Sequence, residues 1–440
     1  MAPARAAGRS WAARAGLSVG AAGVVLGCAA GLLALGPDVP DVPAVQDGRP
    51  LAAPGRADPL SAARSAVRDR PRDAAAWEQL GLADLDRARI TLDPASLADA
   101  EQAFQRSLAL KPEANHGALA GSGMLANARH DFATAKQLGE RATSMAPDRA
   151  AGYLVLADAE IQLGDYPAAT AAAQRLLDLA PTVPAYTRAA YDLETHGRAE
   201  EAGIALQRAL ESAVTPGDTA FCEHRLGDLA WDTGALAEAG EHYRRALAVA
   251  PDDYYARAGQ ARVAAATGHP EEALSGYRAL VGRLPLPQFL LDLAELELAS
   301  HQETAARQQL DTLAGEVRLL DSAGGPVDPS LALYQADHGD PAVAVRLLRG
   351  EWGRRRSVLV ADALGWALHR AGQDAEAIGL LREAAATGWH NALFAYHRGA
   401  VEAALGLPEA AADLREALAL NPRFSPYHAP LAASLLAGPG

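Results

Sequence analysis

Small, apolar and polar positions fall at fixed offsets between Cys222 and Pro251. Leu226, Gly227 and Ala230 lie at i, i+1 and i+4, and Gly234 stands where a first helix must stop. Leu236, Ala239, Tyr243, Ala246 and Leu247 follow at spacings of three, four, three and one, a second helical stripe. Pro251 ends that helix and turns the chain toward another unit. Gly227 and Ala239 are small where the two antiparallel helices cross, which lets their backbones approach. The same pattern recurs along the chain. Pro147 to Pro181 and Pro251 to Pro285 are each separated by 34 residues. Between them lie Tyr153, Gly164, Tyr166 and Ala169 in one unit, and Gly268, Ala273 and Tyr277 in the other.

These landmarks resemble the tetratricopeptide repeat (TPR), a helix–turn–helix unit. Trp77 with Leu80-Gly81 matches its opening W-x2-L-G, and the pattern is clearest over 73–286. In the first unit the two halves stand too far apart, and 89–95 (RITLDPA) is read as a loop insertion. Over 288–320 the tandem landmarks fade, 321–329 (DSAGGPVDP) reads as a break, and hairpins return from 330. Leu364-Gly365, Gly372, Ala377 and Leu381 carry one of them, and Gly406, Leu414 and Pro422 the last. The tail to 440 suits a short capping helix. The resemblance therefore implies an all-α, right-handed superhelical solenoid of about ten hairpins. Its arrays occupy 61–320 and 330–440.

The resemblance also implies a binding face. First helices of such repeats line the concave side, with fixed positions pointing inward. Those positions are held by Phe221, His224, Asp228, Trp231 and Asp232, by Tyr191, Tyr255 and Arg262 in neighbouring units, and by Asp362, Trp366, His369 and Arg370 in the later array. Aromatic residues there suit partner anchoring, and the packing of Trp231 and Trp366 between hairpins is the competing reading. Some members clamp a peptide carboxylate with lysines and asparagines. The first helices here lack lysine, so that mode is rejected.

The ends differ from the repeats. Residues 1–14 carry three arginines and no acid. Residues 15–36 are uncharged, long enough to cross a bilayer core of about 20 residues, and 37–60 is a tether rich in proline and aspartate. Arginine before the apolar run and aspartate after it place the repeats outside the cytoplasm. A retained anchor, a cleaved signal and lipidation at Cys28 stay open as alternatives.

Composition narrows function. The 440 residues carry 54 acidic and 40 basic side chains, a net charge of −14 that opposes nonspecific nucleic-acid binding. The acid excess favours a basic segment in a protein or peptide partner. Neither lysine lies in a P-loop, no histidine is followed by glutamate, and Ser122, with Gly123 after it, lacks the glycine two before that a G-x-S-x-G elbow needs. With two cysteines there is no C-x-x-C site, and Cys222 reads as a small buried hydrophobe. No catalytic residue, cofactor, metal site or small-molecule substrate is expected. The function read from the sequence is a non-catalytic scaffold. A cytoplasmic regulator or ligand sensor, and an accessory subunit of an enzyme or transport complex, are the alternatives.

Overall fold

The computed structural model describes residues 58–438 apart from 92, 324 and 325. The apolar stretch 15–36 and most of the tether lie outside the described residues. Among those described, no helix is long and apolar enough to cross a membrane.

The described chain is all α, with 22 helices and no strand. Ten hairpins follow one another: α2 (Ala74–Thr91) with α3 (Pro94–Leu110), α4 (His116–Ala128) with α5 (Phe132–Met145), α6 (Ala150–Leu163) with α7 (Tyr166–Leu179), α8 (Val183–Thr195) with α9 (Ala199–Glu211), α10 (Pro216–Asp232) with α11 (Leu236–Val249), α12 (Tyr254–Ala266) with α13 (Pro270–Arg283), α14 (Pro287–Ala299) with α15 (Glu303–Ala323), α16 (Pro329–His338) with α17 (Pro341–Arg354), α18 (Val358–Arg370) with α19 (Asp374–Ala385), and α20 (Ala392–Ala404) with α21 (Ala410–Leu420). An unforeseen helix, α1 (Pro59–Asp69), precedes them and buries Leu60, Ala63 and Val67. The expected capping helix is α22 (His428–Ala437).

Local chemistry sets these boundaries. Asp131, Asp165 and Asp253 cap helix N-termini by accepting from the amides of Thr134, Ala168 and Ala256 at 3.2, 3.3 and 2.9 Å. Gly164, Gly234 and Gly268 end first helices at φ +84°, +76° and +88°, the left-handed region that glycine enters without a Cβ penalty. The expected insertion at 89–95 is not a loop. The extra residues lengthen α2 and α3, because Pro94 begins a helix and Asp93 caps it through the amide of Ala95 at 3.0 Å.

Two of the hairpins lock to the next through one ring. Tyr243 of α11 is fully buried. A Cβ at Gly227, in its own hairpin, would lie 2.6 Å from that ring, and one at Gly259, in the next, 2.4 Å. Phe104 stands in the same way between Gly81 and Gly121. The core continues past the weak stretch near 321–329: Leu290, Leu313 and Val317 share one cluster with Val327, Leu331 and Leu348.

The array returns on itself. Gly164, Gly197 and Gly234, in the turns of the third to fifth hairpins, face the connections that follow the eighth to tenth. Cβ atoms at these glycines would lie 2.2, 2.3 and 2.3 Å from the carbonyl oxygens of Arg356, Gly388 and Leu420. Buried Arg355 donates to Gln162 Oε1 at 2.6 Å, the Arg356 amide to Leu163 O at 3.3 Å, and the Val358 amide to the Tyr166 hydroxyl at 2.7 Å. Asn421 Nδ2 donates to Trp231 O at 2.9 Å, and Tyr191 meets Trp389 edge-on at 5.8 Å. Hairpins five apart thus touch turn to connection, in one register.

Candidate partner-binding interface

A ladder of ion pairs runs along the first helices. Arg188 of α8 holds Asp158 of α6 through two bonds of 3.0 and 2.8 Å. Arg225 of α10 reaches Glu194 of α8 at 3.0 and 3.1 Å. Arg262 of α12 reaches Asp228 of α10 at 3.3 Å and the Tyr243 hydroxyl at 3.0 Å, with its guanidinium 4.6 Å from the Trp231 ring. In the later array Arg370 Nε lies 3.3 Å from Asp337, and His397 Nδ1 2.9 Å from Asp362. Every rung joins one first helix to the preceding one, so repeat stacking and inward charge are the same feature. Two-bond arginine–carboxylate geometry is among the stronger forms of such pairing.

The ladder changes the meaning of the residues singled out by register. Phe221, His224, Trp231, Asp362 and Trp366 are buried. Trp231 packs with Ala220, Ala239, Tyr243 and Ala256, which makes it part of the core between hairpins. Trp366 is stacked on His397 at 4.3 Å, with its indole N–H donated to Asp337 at 3.1 Å. His224 pairs with Asp228 at 3.0 Å and stacks on Tyr255 at 5.3 Å. His369 pairs with Asp374 at 2.5 Å. Tyr191, Asp228, Asp232, Tyr255, Arg262 and His369 are half-buried, and Arg370 is exposed.

Solvent still reaches the face formed by α8, α10, α12 and α14. The side chains of Arg262 and Asp228 are 35% and 23% exposed. Burial works to raise the Asp228 pKa, but His224, Arg225 and Arg262 outweigh it and hold the carboxyl below its usual range. Asp232, one turn on, has no hydrogen-bond or ion-pair partner among the described residues. Burial, opposed by Arg262 and reinforced by Asp228 and Glu194, pushes its pKa up to about 7. Asp292 of α14 accepts from the Tyr277 hydroxyl at 3.1 Å, and burial raises it to about 6 against the pull of Arg262. Together these groups form an acid-rich patch with one unsatisfied carboxylate. Cys222 is fully buried, and burial pushes its thiol up to about 12, so it behaves as a small hydrophobe.

The register missed six of the ten residues in these rungs. Asp158, Arg188, Glu194, Arg225, Asp337 and His397 were not among its positions. One signal was present: Arg188, Arg225 and Arg262 recur at intervals of 37 residues.

With this geometry in hand, residues 224–253 match the family model described as tetratricopeptide repeat. The unit at 224–253 is of TPR type. A stretch of 265 residues is 29% identical to cellulose synthase 1 operon protein C of Komagataeibacter xylinus, covering 59% of this chain and 18% of that protein. The chain thus spans less than a fifth of that relative's length. Among solved structures, a thermophilic TPR protein of Thermus thermophilus superposes with TM-score 0.37 at 22% identity, over 42% of this chain and 98% of that one. The type IV pilus biogenesis factor PilW superposes with TM-score 0.40 at 19% identity, over 46% and 92%. The TPR-type scaffold is compatible with protein interaction.

Proposed function

We propose that the chain is a non-catalytic scaffold that holds a basic segment of a protein or peptide partner on its concave face, outside the cytoplasm. The observation that carries this reading is Asp232, a carboxylate without a partner in a patch that solvent reaches and that already holds Asp228, Asp292 and Glu194. A lysine or arginine brought to it satisfies the carboxylate and offsets the repulsion between the acids. Arg262 and the half-buried Tyr255 flank the position where such a segment lies. Trp231 is core, so its truncation would report folding and is not a test of binding.

The full chain, probed with a short lysine-rich and a short glutamate-rich peptide, should bind only the first. Asp232→Asn should weaken that binding at least about tenfold, the scale of losing roughly 1.4 kcal/mol from a charge pair. Equal binding of both peptides, or no effect of the substitution, overturns the reading. The location rests on the arginines before residues 15–36 and the aspartates after them. Protease added outside the cytoplasmic membrane should cleave beyond residue 60, and protection until lysis refutes that placement.

The likeness to a cellulose synthase operon product favours a second reading, an accessory subunit of a synthesis or transport complex. In that case the basic segment belongs to another subunit of the complex.

A further inference from the structure

The last four hairpins and α22 enclose a second constellation that the scaffold reading leaves unused. Glu295 of α14, Asp337 of α16 and His428 of α22 offer ligand atoms that all lie within 4.8 Å of one another. His428 Nε2 is 3.2 Å from Asp337 Oδ2, and His338 Nε2 is 3.2 Å from Glu295 Oε1. The four side chains are nearly closed to solvent, at 10% exposure or less. Asp337 is held from the other side by the Trp366 indole N–H at 3.1 Å and Arg370 Nε at 3.3 Å. Supports of that kind fix a ligand carboxylate in place. Beside them His397, fully buried and with its ring 5.9 Å from that of His428, has an Nε2 with no hydrogen-bond partner.

We propose that Glu295, Asp337 and His428, with His338 beside them, bind a divalent transition-metal ion of the zinc type. Two imidazoles and two carboxylates are a donor set suited to zinc, cobalt or manganese. Zinc–ligand bonds are about 2.0–2.2 Å, so donors around one tetrahedral ion sit roughly 3–3.5 Å apart. The 3.2 Å contact of His428 with Asp337 already has that spacing, Glu295 stands within 4.8 Å of both, and His338 adjoins Glu295 at 3.2 Å. The ion would join α14, α16 and α22, tying the seventh and eighth hairpins to the capping helix. Its role is therefore a structural stitch at the C-terminal end.

The test uses the full chain without a histidine tag, stripped with chelator and titrated with Co2+ or Zn2+. The expected result is one Co2+ per chain with visible absorption of a low-coordinate nitrogen–oxygen site, and a Tm that rises with free Zn2+ by mass action. His428→Gln and Glu295→Gln should each weaken Co2+ binding at least about tenfold. Glu295→Gln keeps a hydrogen-bond acceptor for His338 and so guards against simple unfolding, which circular dichroism checks. His301→Gln, at an exposed turn, should bind as the parent does. No saturable Co2+ spectrum, or binding untouched by both ligand substitutions, overturns the proposal.

Discussion

Gly164 and Gly268 occupy equivalent turns, one against the returning array and one in open space, and replacing each by alanine isolates the closure. Their φ angles are +84° and +88°, so alanine pays the same left-handed cost at both sites, about 1–2 kcal/mol. Around Gly268 a Cβ meets nothing within 4 Å. At Gly164 it would lie 2.2 Å from Arg356 O and 2.8 Å from Arg356 C. Those are backbone atoms, so no rotamer relieves the overlap, and the connection 355–358 must move by roughly 1 Å to reach ordinary contact. Three bonds depend on its place: Arg355 to Gln162, Arg356 to Leu163 and Val358 to Tyr166. Each contributes about 0.5–1.5 kcal/mol, more where a charge takes part. Gly164→Ala should therefore lose about 1–3 kcal/mol beyond Gly268→Ala, the usual range for overpacking. Paired urea denaturation measures the difference, and hydrogen exchange at the amides of Arg356 and Val358 localises it. Equal losses for the two variants, with unchanged exchange at those amides, would refute the closure.

Two further outcomes follow from the hairpin lock and the acid patch. Gly227→Val should cost at least about 1–3 kcal/mol by urea or thermal denaturation, because the Tyr243 ring, hemmed in by Gly259 on its far side, cannot retreat from the added Cβ. Asp232 has a folded pKa raised from 3.8 to about 7, so the folded state binds the extra proton and stability falls as pH rises across that interval. Asp232→Asn should raise the Tm near pH 8 and lose this advantage near pH 4, and a pH-independent difference would exclude the raised pKa.

How much of this was legible in the sequence follows from the range of each interaction. The helix crossing at Gly227 is local to one hairpin, so spacing located that glycine, though not the Tyr243 ring that lies against it. The turn glycines are equally local. The first unit was misread because its extra residues can prolong a helix as readily as form a loop, and Pro94 with Asp93 decided for the helix. The register found Asp228, Arg262, Asp362 and Arg370 on the inward positions but not their use. Whether an inward charge meets a partner or the next repeat depends on how far one hairpin rotates against another, which no single repeat encodes. The contacts of Gln162 with Arg355, and of Trp231 with Asn421, join residues 193 and 190 positions apart. They depend on curvature summed over five hairpins.

That curvature divides the first-helix face into two parts with different physical characters. From α8 to α14 the ladder is wet on one side: Arg262 and Asp228 keep 35% and 23% exposure, and Asp232 has a carboxylate to offer. From α16 to α22 the same face is filled, with Trp366 at 2%, Asp362 at 3% and His397 at 0% exposure, and rings of Trp366, Tyr396, His397 and His428 pack against one another. In the second part the exposed charge is Arg370, while Asp362 and His397 are closed to solvent, and any ion bound there acts on stability. The closure links the two, because connections of the later array rest on the turns of the hairpins that carry α6, α8 and α10. Displacing those connections would let α10 and α12 move apart, which stretches the rung from Arg262 to Asp228 and changes the site around Asp232. Binding at the acid patch and docking of the later array should therefore be coupled, with reciprocal effects on each other's free energy.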